Sequence, residues 1–230
     1  FINKQDTQLS RGESIAETAR MFSFYLDALV YRTDSDSKIS DFHKASDIPI
    51  INALSDLEHP TQIISDIFTI KEVFNKKNIR KINICYIGDA NNIAISFAKI
   101  AKILNLNFTF CCPKKYSKPI ANIINEEIGL SLTTDTNKAF HNADVIYTDV
   151  WTSMGMEKEN AIRLKDFKKY QVTKTLMEKT SNKSVFMHCL PAHIGEEVTL
   201  DVINSDKSIV YQQAENKLYS AMAIIDFFLS

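Results

Sequence analysis

The 230-residue sequence predicts an α/β fold made of two doubly wound domains with mainly parallel sheets, the N-terminal one incomplete in this chain. Short β-rich runs alternate with longer runs of helical periodicity from end to end, the pattern of strand–helix–strand units. A Lys/Asn stretch, "NKKNIRK" from Asn75 to Lys81, interrupts that alternation, and the pattern then restarts. The opening at Phe1 is already mid-domain in character, so the first domain is expected to lack part of its frame.

In order, "ESIAETARMFSFYLDAL" (Glu13 to Leu29) reads as an amphipathic helix with Ser14 as its cap. "LVYR" follows as a strand and "DIPIINA" (Asp47 to Ala53) as another. "PTQIISDIFTIKEVF" (Pro60 to Phe74) reads as a helix opened by proline in its first turn. Beyond the break come strand "INICYIG", helix "NIAISFAKIAKIL", strand "NFTFCC", a helix around Ile120 to Ile128 and strand "ADVIYTDV". Helices are expected between Lys158 and Lys179, then strands "SVFMHC" and "SIVY" and a final helix "AENKLYSAMAIIDFFL".

Composition narrows the function. The formal net charge is −1 and the basic clusters are short, so no long positive stripe exists for nucleic acid or an anionic membrane. No apolar run reaches the roughly 18 residues of a membrane span, and the N-terminus has no secretory pattern; a soluble cytoplasmic protein is expected. The four cysteines suit neither a disulfide framework nor paired zinc knuckles, and all are expected to be reduced.

In doubly wound sheets ligands bind beyond the carboxyl ends of the strands, so the turns there are the places to look. "YIGDANN" has one glycine where a dinucleotide site needs several, and Asp89 would repel a pyrophosphate; an oxidoreductase is disfavoured. Asn91 and Asn92 read as helix caps or as an amide offered to a small zwitterion. "LEHPTQ" places His59 ahead of a proline-initiated helix whose free N–H groups suit an anion, although a capped surface helix looks the same. "TDVWTSMG" offers Asp149 to an α-amino group and Ser153 to a carboxylate, or is a loop closed by an Asx-turn. In "FMHCLPAH" a metal would need His188, Cys189 and His193 to converge, which alternating strand positions oppose. A nucleophilic Cys189 and a plain buried thiol both remain open on these residues alone.

Taken together, "QLSRGES", "YR", "HPTQ", "GDANN", "TDVWTSMG", "HCLPAH" and "AEN" at these spacings resemble the ornithine carbamoyltransferases, from about Thr7 to the C-terminus. The "SMG" element separates them from aspartate transferases of the same fold. The resemblance implies carbamoyl transfer from carbamoyl phosphate to the side-chain amine of ornithine, giving citrulline and phosphate, with no metal and no organic cofactor. It divides the chain into residues 1–75, the remainder of a carbamoyl phosphate-binding domain, 76–211, an ornithine-binding domain, and 212–230, a helix packing back on the first.

By position the resemblance gives carbamoyl phosphate to Arg32, His59, Pro60, Thr61, Gln62, Cys189, Leu190 and Lys217, with Arg32 and His59 aimed at the carbonyl oxygen. Gln8 corresponds to a residue that reaches carbamoyl phosphate bound in the neighbouring subunit of a homotrimer, and Asn92, Asp149, Ser153 and Met154 to the ornithine-binding set. Cys189 and the carbonyl of Leu190 line the meeting point of the substrates, and the nucleophile is ornithine's own deprotonated amine. Two departures stand out. The family's S-x-R-T-R phosphate motif is absent and would lie upstream of Phe1, so this chain alone is expected to bind carbamoyl phosphate poorly. Lys217 also stands where the family reads arginine, keeping the charge without the two-pronged geometry. A carbamoyltransferase for putrescine or a modified ornithine, and an inactive ornithine-binding paralogue, are the alternatives.

Overall fold

A computed structural model describes residues 2–3, 7–124, 129–153 and 155–230. The first part runs α1 (Ile15–Ser23), β1 (Leu29–Arg32), α2 (Asp36–Ala45), β2 (Ile50–Leu54) and α3 (Pro60–Val73). A reciprocal capping box starts α1: Ser14 Oγ accepts the Glu17 N–H at 3.2 Å and the Glu17 carboxylate accepts the Ser14 N–H at 3.0 Å. The helix stops at Ser23, short of the expected Leu29, because Phe24 and Tyr25 beyond it are exposed and have no core to cover. The apolar pattern gave no sign of α2, and the reason is plain: Phe42 is its one buried residue. β1 and β2 pair in parallel as a two-stranded sheet.

The second part runs β3 (Asn83–Ile87), α4 (Asn92–Leu104), β4 (Asn107–Cys111), α5 (Lys118–Ile124), β5 (Leu130–Thr133), α6 (Thr136–Phe140), β6 (Val145–Thr148), α7 (Asn160–Phe167), α8 (Lys174–Met177), β7 (Val185–His188), α9 (Leu200–Ile203) and α10 (Val210–Leu229). The end of the helix expected over Ile120 to Ile128 lies outside the described residues. The strands form one parallel sheet in the order β5-β4-β3-β6-β7. The order reverses between β3 and β6, and that crevice is where a doubly wound sheet takes its ligands. The expected strand "SIVY" is not formed. Ser208 makes an isolated bridge to Phe186, and Val210 already begins α10.

Both faces of the larger sheet are covered, so β6 and β7 are buried at every position and β3 at all but its first. Their aromatic side chains stack: Tyr86 lies 5.5 Å from Phe110 and 5.6 Å from Tyr147, and Phe97 of α4 lies 5.3 Å from Phe108. Truncating a fully buried ring such as Phe97 would cost about 3–5 kcal/mol. Hydrogen bonds tie the halves together at the mouth of the crevice and along the back. At the mouth of the crevice the Asn92 amide donates to Ser55 O at 2.9 Å and the His59 N–H to Ser96 Oγ at 2.8 Å. Along the back, α10 lies on α3, with Asn216 donating to Thr69 and Glu72, both at 3.0 Å. Among the described residues no helix is long and apolar enough to cross a membrane.

Candidate active site

Five strand ends and one helix bring the candidate residues to the crevice. From the first part come Arg32, the last residue of β1, and the β2–α3 turn that carries His59. Proline at the first position of α3 has no N–H to leave unsatisfied, and the N–H groups after it face forward with no acidic residue in the first turn. That end of α3 carries a partial positive charge. His59 sits in this field, partly buried. Burial first, then the Arg32 and Lys217 charges, push its imidazole down to about 4, so the ring is neutral at physiological pH. Nδ1 lies 3.4 Å from the Thr61 hydroxyl, which also reaches Ala53 O at 3.3 Å.

The second part supplies the opposite sign. Gly88, at φ +141°, turns the chain out of β3 where a Cβ would sit 3.4 Å from Thr148 Oγ1 and 3.6 Å from Asp149 O. The turn leads to Asn91, whose side-chain oxygen caps α4 through the Ala94 N–H at 3.1 Å and accepts the Tyr86 hydroxyl at 3.1 Å. Its amide nitrogen donates to Asp149 Oδ2 at 2.7 Å. Asn91, not Asn92, therefore touches Asp149; the Asn92 amide is committed to Ser55 across the crevice.

Asp149 is 7% exposed, and its other oxygen accepts the Cys189 thiol at 3.0 Å. Burial, followed by the Asp149 charge, raises the thiol well above its ordinary range. Cys189 is therefore a protonated donor, which argues against an attacking thiolate. Lys217 of α10 donates to the Cys189 carbonyl at 2.7 Å. One residue thus joins the cationic side to the acidic side.

His188 and Cys189 do converge, against the expectation from strand alternation: with Asp149 they bring donor atoms within 4.8 Å of one another. The strand ends at His188 and Leu190 turns left-handed at φ +56°, so alternation no longer applies. His188 is nevertheless spent. Its Nδ1 accepts the Leu190 N–H at 2.9 Å, so Nε2 carries the proton and faces Glu197 Oε1 at 3.1 Å. Neither nitrogen offers a free lone pair to a metal.

Asp89 does not stand as a bare charge. It pairs with Arg163 at 2.8 Å, both side chains 7% exposed, and the same guanidinium donates to Trp151 O at 3.0 Å and Glu159 at 3.0 Å. Arg163 thereby anchors the loop that carries Ser153, a role the sequence did not suggest; an arginine inside an otherwise amphipathic helix was the available sign. Met154 lies outside the described residues. Gln8 is exposed on a short turn, 3.5 Å from Arg11, and is not brought to this cluster within the chain.

A last group lies beneath. Asp66 of α3 is fully buried and accepts Gln62 at 2.9 Å, Gln213 at 2.7 Å and the Tyr147 hydroxyl at 2.8 Å. Burial outweighs those donors and raises its carboxyl to about 6.

Comparison with known proteins gives this geometry its context. Residues 80–228 match the family model described as the Asp/Orn binding domain of aspartate/ornithine carbamoyltransferase, and residues 1–72 match its carbamoyl-P binding domain. An ornithine carbamoyltransferase of Syntrophus aciditrophicus is 42% identical over 234 aligned positions, covering 100% of this chain and 76% of the relative. An anabolic ornithine carbamoyltransferase of Pyrococcus furiosus is 43% identical, covering 98% of this chain and 73% of the relative. Among solved structures, the Thermus thermophilus ornithine carbamoyltransferase superposes with a TM-score of 0.90 at 30% identity, over 100% of this chain and 76% of the other. That of Pyrococcus furiosus gives 0.85 at 42%, over 97% and 73%.

Proposed function

The chain belongs to the aspartate/ornithine carbamoyltransferase family, and from that premise we propose how its residues divide the transfer of a carbamoyl group from carbamoyl phosphate to L-ornithine. Carbamoyl phosphate lies against the start of α3. Arg32 and Lys217 supply positive charge there, and the first-turn N–H groups supply donors. Neutral His59 retains one N–H, which it offers to the carbamoyl oxygen together with Arg32. Ornithine lies on the other wall, its α-ammonium answered by Asp149 and its carboxylate by the Ser153 hydroxyl.

The side-chain amine of ornithine, in its neutral form, attacks the carbamoyl carbon. A carbon–nitrogen bond forms, negative charge develops on the carbonyl oxygen, and the carbon–oxygen bond to phosphate breaks. The proton lost by the amine ends on the departing phosphate, so citrulline and hydrogen phosphate leave in balance. The chain's contribution is orientation and fixed charge, which act most strongly where the developing oxyanion and leaving phosphate appear. Cys189 remains a thiol throughout: it orients Asp149, and no acyl-enzyme forms.

The observation that carries this reading is the double engagement of Cys189, its S–H on Asp149 and its carbonyl on Lys217. The two substrates meet there. The family match leaves the dehydrogenase alternative without support. The proposal extends to a trimer in which Gln8 reaches the site of a neighbouring chain; light scattering should then give about three times the 26.2 kDa chain mass. The test of function is citrulline formation from carbamoyl phosphate and ornithine, by this chain and by a version carrying the family's S-x-R-T-R segment ahead of Phe1. Turnover by the extended version is expected, and none from either folded protein would refute the assignment.

A further inference from the structure

Asp66 touches no substrate in this reading, yet it is the most connected buried carboxylate beneath the site. It is fully buried, and its three donors come from three elements: Gln62 from α3, Tyr147 from β6 and Gln213 from α10. Gln213 passes the connection on, because its side-chain oxygen accepts the His188 N–H at 2.9 Å at the end of β7. An ionised carboxylate only accepts hydrogen bonds, so it compels both glutamines to turn their NH2 groups toward it. Each glutamine then has a defined free end, an acceptor oxygen. For Gln213 that oxygen holds the strand preceding Cys189. For Gln62, a candidate ligand of carbamoyl phosphate, it leaves an acceptor for a donor on the substrate.

We propose that Asp66 is a positioning residue that fixes the amide orientation of Gln62, so that its oxygen selects the NH2 end of carbamoyl phosphate, while holding the Cys189 turn in register through Gln213. This rests on the carbamoyltransferase reading, which it deepens from a phosphate site to one that distinguishes carbamoyl from acyl phosphates. A protonated carboxyl, or an asparagine in its place, gains a donor and releases that constraint. The groups facing Asp66 that carry charge or titrate are Tyr147 on β6, Cys189 after β7 and Lys217 on α10, and of these the Lys217 charge favours its ionised form. Its carboxyl near 6 places the release just below neutrality.

The test compares wild type with Asp66→Asn in the citrulline assay, with acetyl phosphate as a competitive inhibitor that replaces the NH2 by a methyl group. The expected result is a loss of about tenfold to a hundredfold in kcat/KM for carbamoyl phosphate. The acetyl phosphate inhibition constant should stay within about twofold of wild type. An equal weakening of both phosphates, or none, would overturn the proposal, since a purely structural defect makes no distinction between NH2 and CH3. A second readout needs no turnover. The side-chain NH2 resonances of Gln62 and Gln213 in wild type should shift together with a midpoint near pH 6 and stay fixed in the variant. Independent or absent titration in wild type would overturn the orienting role even if Asp66→Asn does not fold. Absence of citrulline from every wild-type form refutes the enzymatic reading instead, and the resonances still decide the network.

Discussion

The two walls of the crevice handle charge in opposite ways. On the α3 side burial, then the Arg32 and Lys217 charges, push a histidine down to about 4, so it is neutral near pH 7 at the positive end of a helix. On the β6–β7 side a buried aspartate draws its partners from neutral donors, the Asn91 amide and the Cys189 thiol, while Arg163 is taken up by Asp89 and Glu159. In the proposed assignment the first wall receives a dianion, and the second, whose carboxylate is oriented without being neutralised, receives an ammonium group. A dianion and a zwitterion that presents its ammonium group to Asp149 can then lie side by side, with their reactive ends meeting at Cys189.

The sharpest way to break this division is Asp149→Asn. It removes the anion and leaves the amide of Asn91 facing a side chain that no longer offers two acceptor oxygens. Steady-state kinetics should show kcat/KM for ornithine falling by about a hundredfold or more, with the carbamoyl phosphate KM within about threefold. A loss falling on carbamoyl phosphate instead would invert the assignment of the walls. Next is Lys217→Ala, which should cost about tenfold to a hundredfold in kcat/KM for carbamoyl phosphate, the worth of a charge-assisted hydrogen bond. A change in ornithine alone would remove Lys217 from the anionic side.

Cys189→Ser keeps a hydroxyl donor to Asp149, shorter in reach than the thiol. About a tenfold loss in ornithine use with residual turnover is expected, and mass spectrometry of wild type during turnover should find no carbamoyl adduct. Such an adduct, with complete loss in the variant, would restore the nucleophile. The smallest effect is on stability. The folded-state value of His59 lies below its ordinary 6.5, so its contribution is full above 6.5 and is lost as pH falls toward 4. Asp66, raised to about 6, runs the other way: its contribution is full below its ordinary 3.8 and is lost as pH rises through 6. The two offset each other in the wild type between these limits. Denaturant melts of His59→Gln should show its stability gaining on wild type by on the order of 1 kcal/mol from pH 7 to pH 4.5, after allowance for partial solvent exposure. Parallel pH profiles would mean that His59 is not held neutral by its surroundings.

Much of this arrangement was legible because three of the four motifs follow the buried strands β3, β6 and β7, and the fourth follows the half-buried β2. "HPTQ", "GDANN", "DVWTSMG" and "HCLPA" all fall at carboxyl ends, and α4 runs over Asn92–Leu104 as its periodicity predicts. The misses have local causes. α2 buries a single side chain, and β5 is a four-residue edge strand with two exposed positions, so neither has the repeated apolar signal that reveals an element. Asn91 and Asn92 are neighbours in sequence, but one is the cap and the other the first helical residue. Their side chains therefore diverge, and only coordinates could assign the Asp149 contact. Asp66 was overlooked inside an apparently ordinary helix, yet a clue was present. It shares helical spacing with Ile63 and Ile70, so an ionisable side chain falls on the core face. Its partners are distant in sequence, and the network itself was beyond reach.

The charge division is tested most directly by a crystal structure with an N-phosphonoacetyl derivative of ornithine's side-chain amine, which joins the two substrates through stable bonds. The division predicts the phosphonate at the start of α3 beside His59 and Lys217, and the α-ammonium within about 3.2 Å of Asp149. The reverse placement, with the amino-acid end against α3 and the phosphonate turned toward Asp149, would contradict it.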